Sequence, residues 1–204
     1  MQENINIDLS IPVLPLLVLT GKSGSGKTTT SNILQKDVGL KKIITYTTRP
    51  KRKGEHEGID YHFVSKEEFK KMIDNSKFLE YAVYDASFGR VYYGSLKEDY
   101  NKMDSVIVLN PKGVEKLLSY DGGINALIVE LVPSQATLKQ RLSSRGDSPA
   151  EIERRLKADD TDFIHLYQQK GSERILQIPI DASDTSEAVA DKVICSIKNM
   201  IQKK

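Results

Sequence analysis

Cysteine is nearly absent: Cys195 is the one cysteine in 204 residues, which excludes an internal disulfide and a multi-cysteine metal site. Its place on a periodic C-terminal stretch puts it on the apolar side of an expected helix, as a core residue. Long apolar runs are missing too. The run that begins at Leu14 is far too short to span a membrane and is interrupted by Pro15. Residues Met1 to Pro12 contain Glu3 and Asp8 and lack the basic start and apolar centre of a secretion signal, so a cytoplasmic protein with no membrane attachment is expected. There is little net charge: 30 basic against 28 acidic residues leave +2, which gives no global field for nucleic acid, and any anion site must be local. The three histidines, His56, His62 and His165, include no pair with metal-ligand spacing and read as structural or surface residues. Internal repeats and low-complexity tracts are not evident. What remains, 39% hydrophobic and 28% charged, is an ordinary soluble composition of a length that suits one domain.

The most informative stretch runs from Leu14 to Thr30. A short apolar run of buried-strand length leads into Gly21-Lys22-Ser23-Gly24-Ser25-Gly26-Lys27-Thr28-Thr29, which fits GxxxxGK[ST]. The three glycines let the backbone turn tightly and bring consecutive N–H groups towards an anion. A helix opening near Lys27 adds its unpaired N–H groups and the positive end of its dipole. Lys27 then reaches the β- and γ-phosphates, and the Thr28 hydroxyl is placed to ligate Mg²⁺. A plain glycine-rich turn is the alternative. The position directly after an apolar strand favours a P-loop that binds a nucleoside triphosphate.

Further along, helix is expected from Lys27 to about Lys36 with Gly39 just past its end, then a short strand from Lys42 to Tyr46. Thr47 to Phe63 is dense in charge and turn residues. Ser65-Lys66-Glu67-Glu68 is a capping box that starts a helix to about Asp74. Leu79 to Tyr84 alternates like a half-buried strand, and Arg90 to Tyr93 can pair with it across a turn at Ala86 to Gly89. Tyr92 and Phe88 are expected to pack this region. An α/β rhythm follows: strand Ser105 to Leu109, helix Lys112 to Ser119, strand Ala126 to Val132, then a helix capped by Ser134 that runs to about Ser144. A second capping box at Ser148 to Glu151, with Pro149 at the first helical position, starts a helix to about Gln169. Strand Arg174 to Ile178 and a helix from about Thr185 to Ile201 complete the chain. Strands that alternate with helices argue for an α/β fold with a central parallel sheet.

A P-loop names no acceptor. The basic cluster Arg49, Lys51, Arg52 and Lys53 begins beyond the second expected strand, where loops at the carboxyl ends of parallel strands form ligand sites. Two arginines three apart can fork onto one phosphate group. A solvated charge run is the alternative; the flanking hydroxyls, Pro50 and Tyr61 favour phosphate.

Several motifs then come together: Thr45-Tyr46-Thr47-Thr48-Arg49-Pro50-Lys51-Arg52, Gly54-Glu55, Gly58 to Ser65, Phe78-Leu79-Glu80 and Tyr93-Gly94-Ser95. In order and spacing they resemble the guanylate kinase signature, and Arg141 to Gly146 with Arg154-Arg155-Leu156 is similar to that family's lid. The resemblance covers most of the chain and weakens after Val132. It implies a P-loop three-layer fold in one domain, with core segments 14–46, 105–144 and 170–204, an inserted monophosphate-binding region at 47–95 and a short lid at about 145–156. It implies that Arg49, Arg52, Tyr61 and Tyr93 hold the acceptor phosphate, that Thr45 and Ser95 bond the base, and that Glu80 accepts N–H groups of guanine. Arg141, Arg145 and Arg155 would close with the lid over the transferring group. The implied reaction moves the γ-phosphoryl of ATP to GMP or dGMP with Mg²⁺, in a monomer or homodimer that binds small nucleotides only.

Some positions depart from the family pattern. Val108, Asn110 and Lys112 stand where guanylate kinases typically carry Asp-x-Asp-x-Gln-Gly. Asn110 is expected to accept the guanine amine through its amide oxygen, without charge, and Val108 cannot help hold Mg²⁺. The lid is one residue shorter than usual, and Ile180 to Asp184 replaces the usual Asn-Asp stretch beside adenine. Two rivals follow: the same fold acting on another nucleotide or a phosphorylated sugar, or a silent binding module. The intact P-loop argues against the second.

Overall fold

The structure, a computed structural model, describes residues 14–86, 89–120 and 124–202. Strand β1 (Leu16–Thr20) is buried along its whole length, which is why its sequence is a continuous apolar run rather than an alternation. The P-loop follows and leads into α1 (Lys27–Ile33), which ends in one π-helical turn, Leu34–Val38, closed by Gly39 with φ of 79°. Next come β2 (Lys41–Lys42), β3 (Tyr46–Thr47), β4 (His62–Phe63), α2 (Lys66–Asp74) and the long hairpin β5 (Phe78–Ala86) with β6 (Gly89–Leu96). A 3₁₀ turn precedes β7 (Ser105–Val108), α3 (Pro111–Leu118), β8 (Ala126–Pro133), α4 (Gln135–Ser144) and α5 (Pro149–Tyr167). A second 3₁₀ turn precedes β9 (Ile175–Ile180) and α6 (Ser186–Gln202).

Two sheets form. The central one is parallel, in the order β2-β7-β1-β8-β9, with β1 in the middle. The alternation of side chains along β1 divides its core. Leu17 and Leu19 pack with Val189, Val193 and Ile197 of α6 and Leu34 beyond α1, while Leu16 and Val18 face Val114 and Leu117 of α3 and Phe163 and Leu166 of α5. Helices on both faces of a parallel sheet make three layers. A separate cluster, Leu138, Leu142, Ile152 and Leu156, joins α4 to α5.

The second sheet, β4-β3-β6-β5, is mixed and lies in the segment between β2 and β7. Phe69 of α2 is fully buried and stacks on Phe78 at 4.4 Å, with Tyr92 tilted against it at 5.5 Å. The Ser65 cap forms as the sequence predicts, its hydroxyl accepting from Glu68 N–H at 3.0 Å.

Two expectations change. The single strand from Lys42 to Tyr46 is two strands in different sheets: Lys41 and Lys42 pair with β7, whereas Tyr46 and Thr47 pair with β4 and β6. The residues between carry the chain from one sheet to the other, so β-branched composition there marks a crossing and not one ladder. Cys195 is exposed. Val193 and Ile197 define the buried stripe of α6, and a residue midway between two positions four apart lies about 200° from each. The expected turn residues Ser87 and Phe88 and the segment Met1 to Pro12 lie outside the described residues.

Candidate active site

The P-loop is held open by backbone geometry. Gly21 has φ of 142°, and a Cβ there would come within 2.6 Å of the Leu131 carbonyl oxygen, so no side chain fits where the loop leaves β1. Gly24 and Gly26 are left-handed, with φ of 84° and 101°. Lys27 lies back over the loop, donating to the carbonyl oxygens of Gly21 at 2.7 Å and Lys22 at 3.0 Å. Burial lowers its pKa to about 8; Asp159 and Glu130 push back up, and Arg145 adds to the fall. Thr28 is exposed at the first helical turn. Ser25, Thr29, Arg141 and Arg145 line a cavity of about 330 Å³ together with Ala182 and Ser186. Arg141 donates to the Gly24 and Ser25 carbonyls at 3.5 and 3.3 Å.

A cleft of about 560 Å³ joins the P-loop to the second sheet. Thr47 and Thr48 fix its basic corner: the Thr47 hydroxyl donates to Tyr92 O, and Tyr92 N–H donates back to Thr48 Oγ1, both at 3.0 Å. The chain thus leaves β3 beside Tyr93 and puts Arg49 into the cleft wall. Arg49 is 6% exposed and meets Glu55 through a two-pronged fork of 2.6 and 2.5 Å. Burial is the largest single influence and works against its charge, but the Glu55 hydrogen bonds together with the Tyr93, Glu55 and Tyr61 groups nearby raise the pKa. With Nη1 also donating to Pro50 O, the described partners take three of the five N–H donors and leave the side edge, Nε and one Nη2 hydrogen. Tyr61 lies under the guanidinium at 4.9 Å, with Tyr93 edge-on to Tyr61 at 6.1 Å. Arg52 lines the cleft, its pKa lowered by burial and by Arg49 and Arg155 nearby.

The opposite end is a carboxylate pocket. Glu80 on β5 is 4% exposed, and its Oε1 accepts the Ser95 hydroxyl, which also bonds Tyr100 at 2.6 Å. Its Oε2 is buried without a partner among the described residues. Burial, offset in part by Ser95, raises the Glu80 pKa to about 7. A buried orphan acceptor in a cleft wall is costly unless a ligand supplies the donor. Thr45 and Asn110 also line this end. Asn110 is also the N-cap of α3, and its Oδ1 accepts from Gly113 N–H at 2.8 Å.

Helix α5 crosses between the two ends. Its start is fixed by Ser148, whose hydroxyl accepts from Glu151 N–H at 3.3 Å. Glu151 pairs with both Arg154 and Arg155 at 2.8 Å, and its pKa falls to about 2, chiefly through Arg154. Arg145 and Arg155 both line the cleft. Two residues not anticipated from the sequence touch the P-loop directly. Asp159 Oδ2 accepts from Ser23 N–H at 2.6 Å, and Asp160 pairs with Lys22. Asp159 is pushed up by burial and held back by Ser23 and Lys27. For Asp159 a signal was present as helical spacing, since Glu151, Arg155, Asp159 and Asp162 recur every three or four residues on one face. Glu55 was also missed as the partner of Arg49. No group of three or more His, Cys, Asp or Glu residues that could hold a metal ion occurs among the described residues.

A P-loop on the middle strand of a parallel sheet, facing a small second sheet across one cleft, defines a P-loop nucleoside-monophosphate kinase fold. The guanylate kinase family model matches residues 14–169. A guanylate kinase of Neisseria gonorrhoeae is 39% identical over 153 residues, spanning 69% of this chain and 70% of that protein. One from Syntrophus aciditrophicus is 37% identical over 147 residues, with 69% and 68% covered. The crystal structure of guanylate kinase from Anaplasma phagocytophilum superposes with a TM-score of 0.65 at 24% identity, covering 92% of this chain and 86% of that one, a likeness of fold. The chain belongs to the guanylate kinase family.

Proposed function

We propose that this protein transfers the γ-phosphoryl of ATP to the phosphate of GMP or dGMP, giving ADP and the nucleoside diphosphate. The observation that carries the reading is the pairing, in one cleft, of a P-loop with a buried carboxylate oxygen that lacks a donor. A 6-oxopurine presents an N1–H donor, and adenine does not.

Phosphoryl transfer asks the protein chiefly for positioning and charge neutralisation. The P-loop amides and Lys27 hold the donor phosphates, which requires Asp159 to give up Ser23 N–H. Arg49 offers its free side edge to the acceptor phosphate while Glu55 holds the other edge still, so orientation is set before the substrate arrives. Arg52, Tyr61 and Tyr93 complete that phosphate's surroundings, and Thr45 and Ser95 the base's. Arg145 and Arg155 add positive charge between the two phosphates, Arg141 supports the P-loop and the ATP base, and closure of this region excludes water.

The donor set of the chain fits a Mg²⁺ ion carried in by the nucleotide. Thr28 offers one hard oxygen, no multi-residue cage occurs among the described residues, and phosphate oxygens and water would supply the rest. When bound, the ion neutralises the β- and γ-phosphate charge. We place the reaction in the cytoplasm, as part of purine nucleotide metabolism; no described helix is long and apolar enough to cross a membrane. Lys27→Ala tests the assignment. It is expected to reduce kcat by about 10²- to 10³-fold or more, as loss of a key electrostatic donor does. Wild-type turnover by that variant would remove Lys27 from the mechanism.

A further inference from the structure

Strand β5 and helix α5 are joined at two points that phosphoryl transfer, as described above, leaves unused. At the start of α5, Glu151 Oε2 accepts from Arg154 Nε at 2.8 Å and its Oε1 from Arg154 Nη2 at 2.9 Å. This fork fixes the plane of the guanidinium, and Nη1 then donates to the Asp85 carbonyl oxygen of β5 at 2.9 Å. β5 is an outer strand of the second sheet, where backbone acceptors on the free side have no ladder partner. About two turns further along α5, Asp162 lies 3.5 Å from Lys112 Nζ of α3. The Lys112 ammonium in turn sits over the Tyr84 ring of β5, 4.8 Å from its centroid.

The two points bracket Arg155. An exposed ion pair within one helical turn contributes little to stability by itself. Here Arg154 and Lys112 reach instead from the helices to the sheet that carries Glu80 and Tyr93. Arg155 follows Arg154 directly, donates from Nε to the same Glu151 Oε1 at 2.8 Å and lines the cleft. Its place over the acceptor phosphate therefore depends on where α5 stands relative to β5. We propose that Arg154 and Lys112 are positioning residues: they clasp α5 to β5 and so set Arg155 against the phosphoryl group that is transferred. This rests on the kinase reading above.

Steady-state kcat and KM with Mg-ATP and GMP test the clasp in Arg154→Met, Lys112→Met and the double variant. A misplacement of about 1 Å can cost about 10²-fold in rate, and a loosened helix should cost part of that. Arg154→Met should lower kcat by about tenfold and Lys112→Met by about fivefold, with KM for ATP and for GMP each within about threefold of wild type. Arg154→Lys still reaches the Asp85 carbonyl and should restore kcat to within about threefold of wild type. Since both points serve one clasp, the double variant should fall no more than about twofold below the slower single variant. Independent effects would multiply to about fiftyfold and would overturn the inference. Wild-type kcat in Arg154→Met would overturn it and leave the kinase reading standing. A faster Arg154→Met would do the same, by showing that the bridge hinders turnover. Equal losses in Arg154→Lys and Arg154→Met would overturn it too, by tracing the effect to the start of the helix. A wild-type protein that does not phosphorylate GMP would overturn both readings together.

Discussion

Two side chains carry ionisation states that this site needs and that the surrounding residues set in opposite directions. Glu80 is raised to about 7 because it is buried with one oxygen unpaired. Lys27 is lowered to about 8, burial again being the largest cause. The free enzyme therefore protonates Glu80 below about 7 and deprotonates Lys27 above about 8. A neutral Glu80 is a weaker acceptor for N1–H, so KM for GMP should fall as pH rises towards that window. A neutral Lys27 holds phosphate poorly, so KM for ATP should rise as pH leaves the window on the alkaline side. Glu80→Gln separates the two limbs. It should raise KM for GMP by about 10- to 100-fold, flatten its acid dependence and change KM for ATP by less than about twofold. Equal effects on both substrates would place Glu80 outside the acceptor pocket.

At the scale of elements, α5 is the piece whose position decides access. In this structure it rests on the P-loop through Asp159 and on Lys22 through Asp160, with a carboxylate bonded to an amide that the phosphate reading requires. An ATP phosphate must displace Asp159, and a negative side chain beside that nest opposes the incoming anion. Asp159→Asn should therefore tighten ATP binding by about three- to tenfold, since the charge-assisted bond to be surrendered becomes a neutral one. Calorimetry without acceptor reads this directly, and weaker binding would show that the carboxylate assists the nucleotide instead. The sequence marked this helix well at its start, through Ser148 and Pro149. It was less legible in its interior. Acidic residues there read as a solvated face unless their spacing is traced against the P-loop, a tertiary relation that local pattern does not encode.

For the molecule as a whole, the legible parts were those fixed by local rules. The apolar run of β1, the glycines of the P-loop, the Ser65, Ser134 and Ser148 caps and the alternation of β5 each state their own structure. The less legible parts depend on partners far away in the chain. Lys42 to Tyr46 looks like one strand because its composition cannot say which sheet each end joins. The capping role of Asn110 was not legible, because it depends on how α3 starts after β7. Arg49 stands out in the sequence as a candidate phosphate ligand, whereas Glu55, which fixes its orientation and leaves one edge free, does not. The two sheets bring the triphosphate end and the carboxylate pocket to one cleft, and the central claim is that phosphoryl transfer takes place there. The most direct measurement is ADP release from Mg-ATP in the presence of GMP, dGMP, AMP, CMP, UMP, dTMP or ribose phosphate, each against ATP alone. The account predicts rapid release with GMP and dGMP and near-background release with AMP and the pyrimidine and sugar phosphates. Release driven best by AMP or a pyrimidine nucleotide, or silence across the panel while ATP still binds, would contradict it.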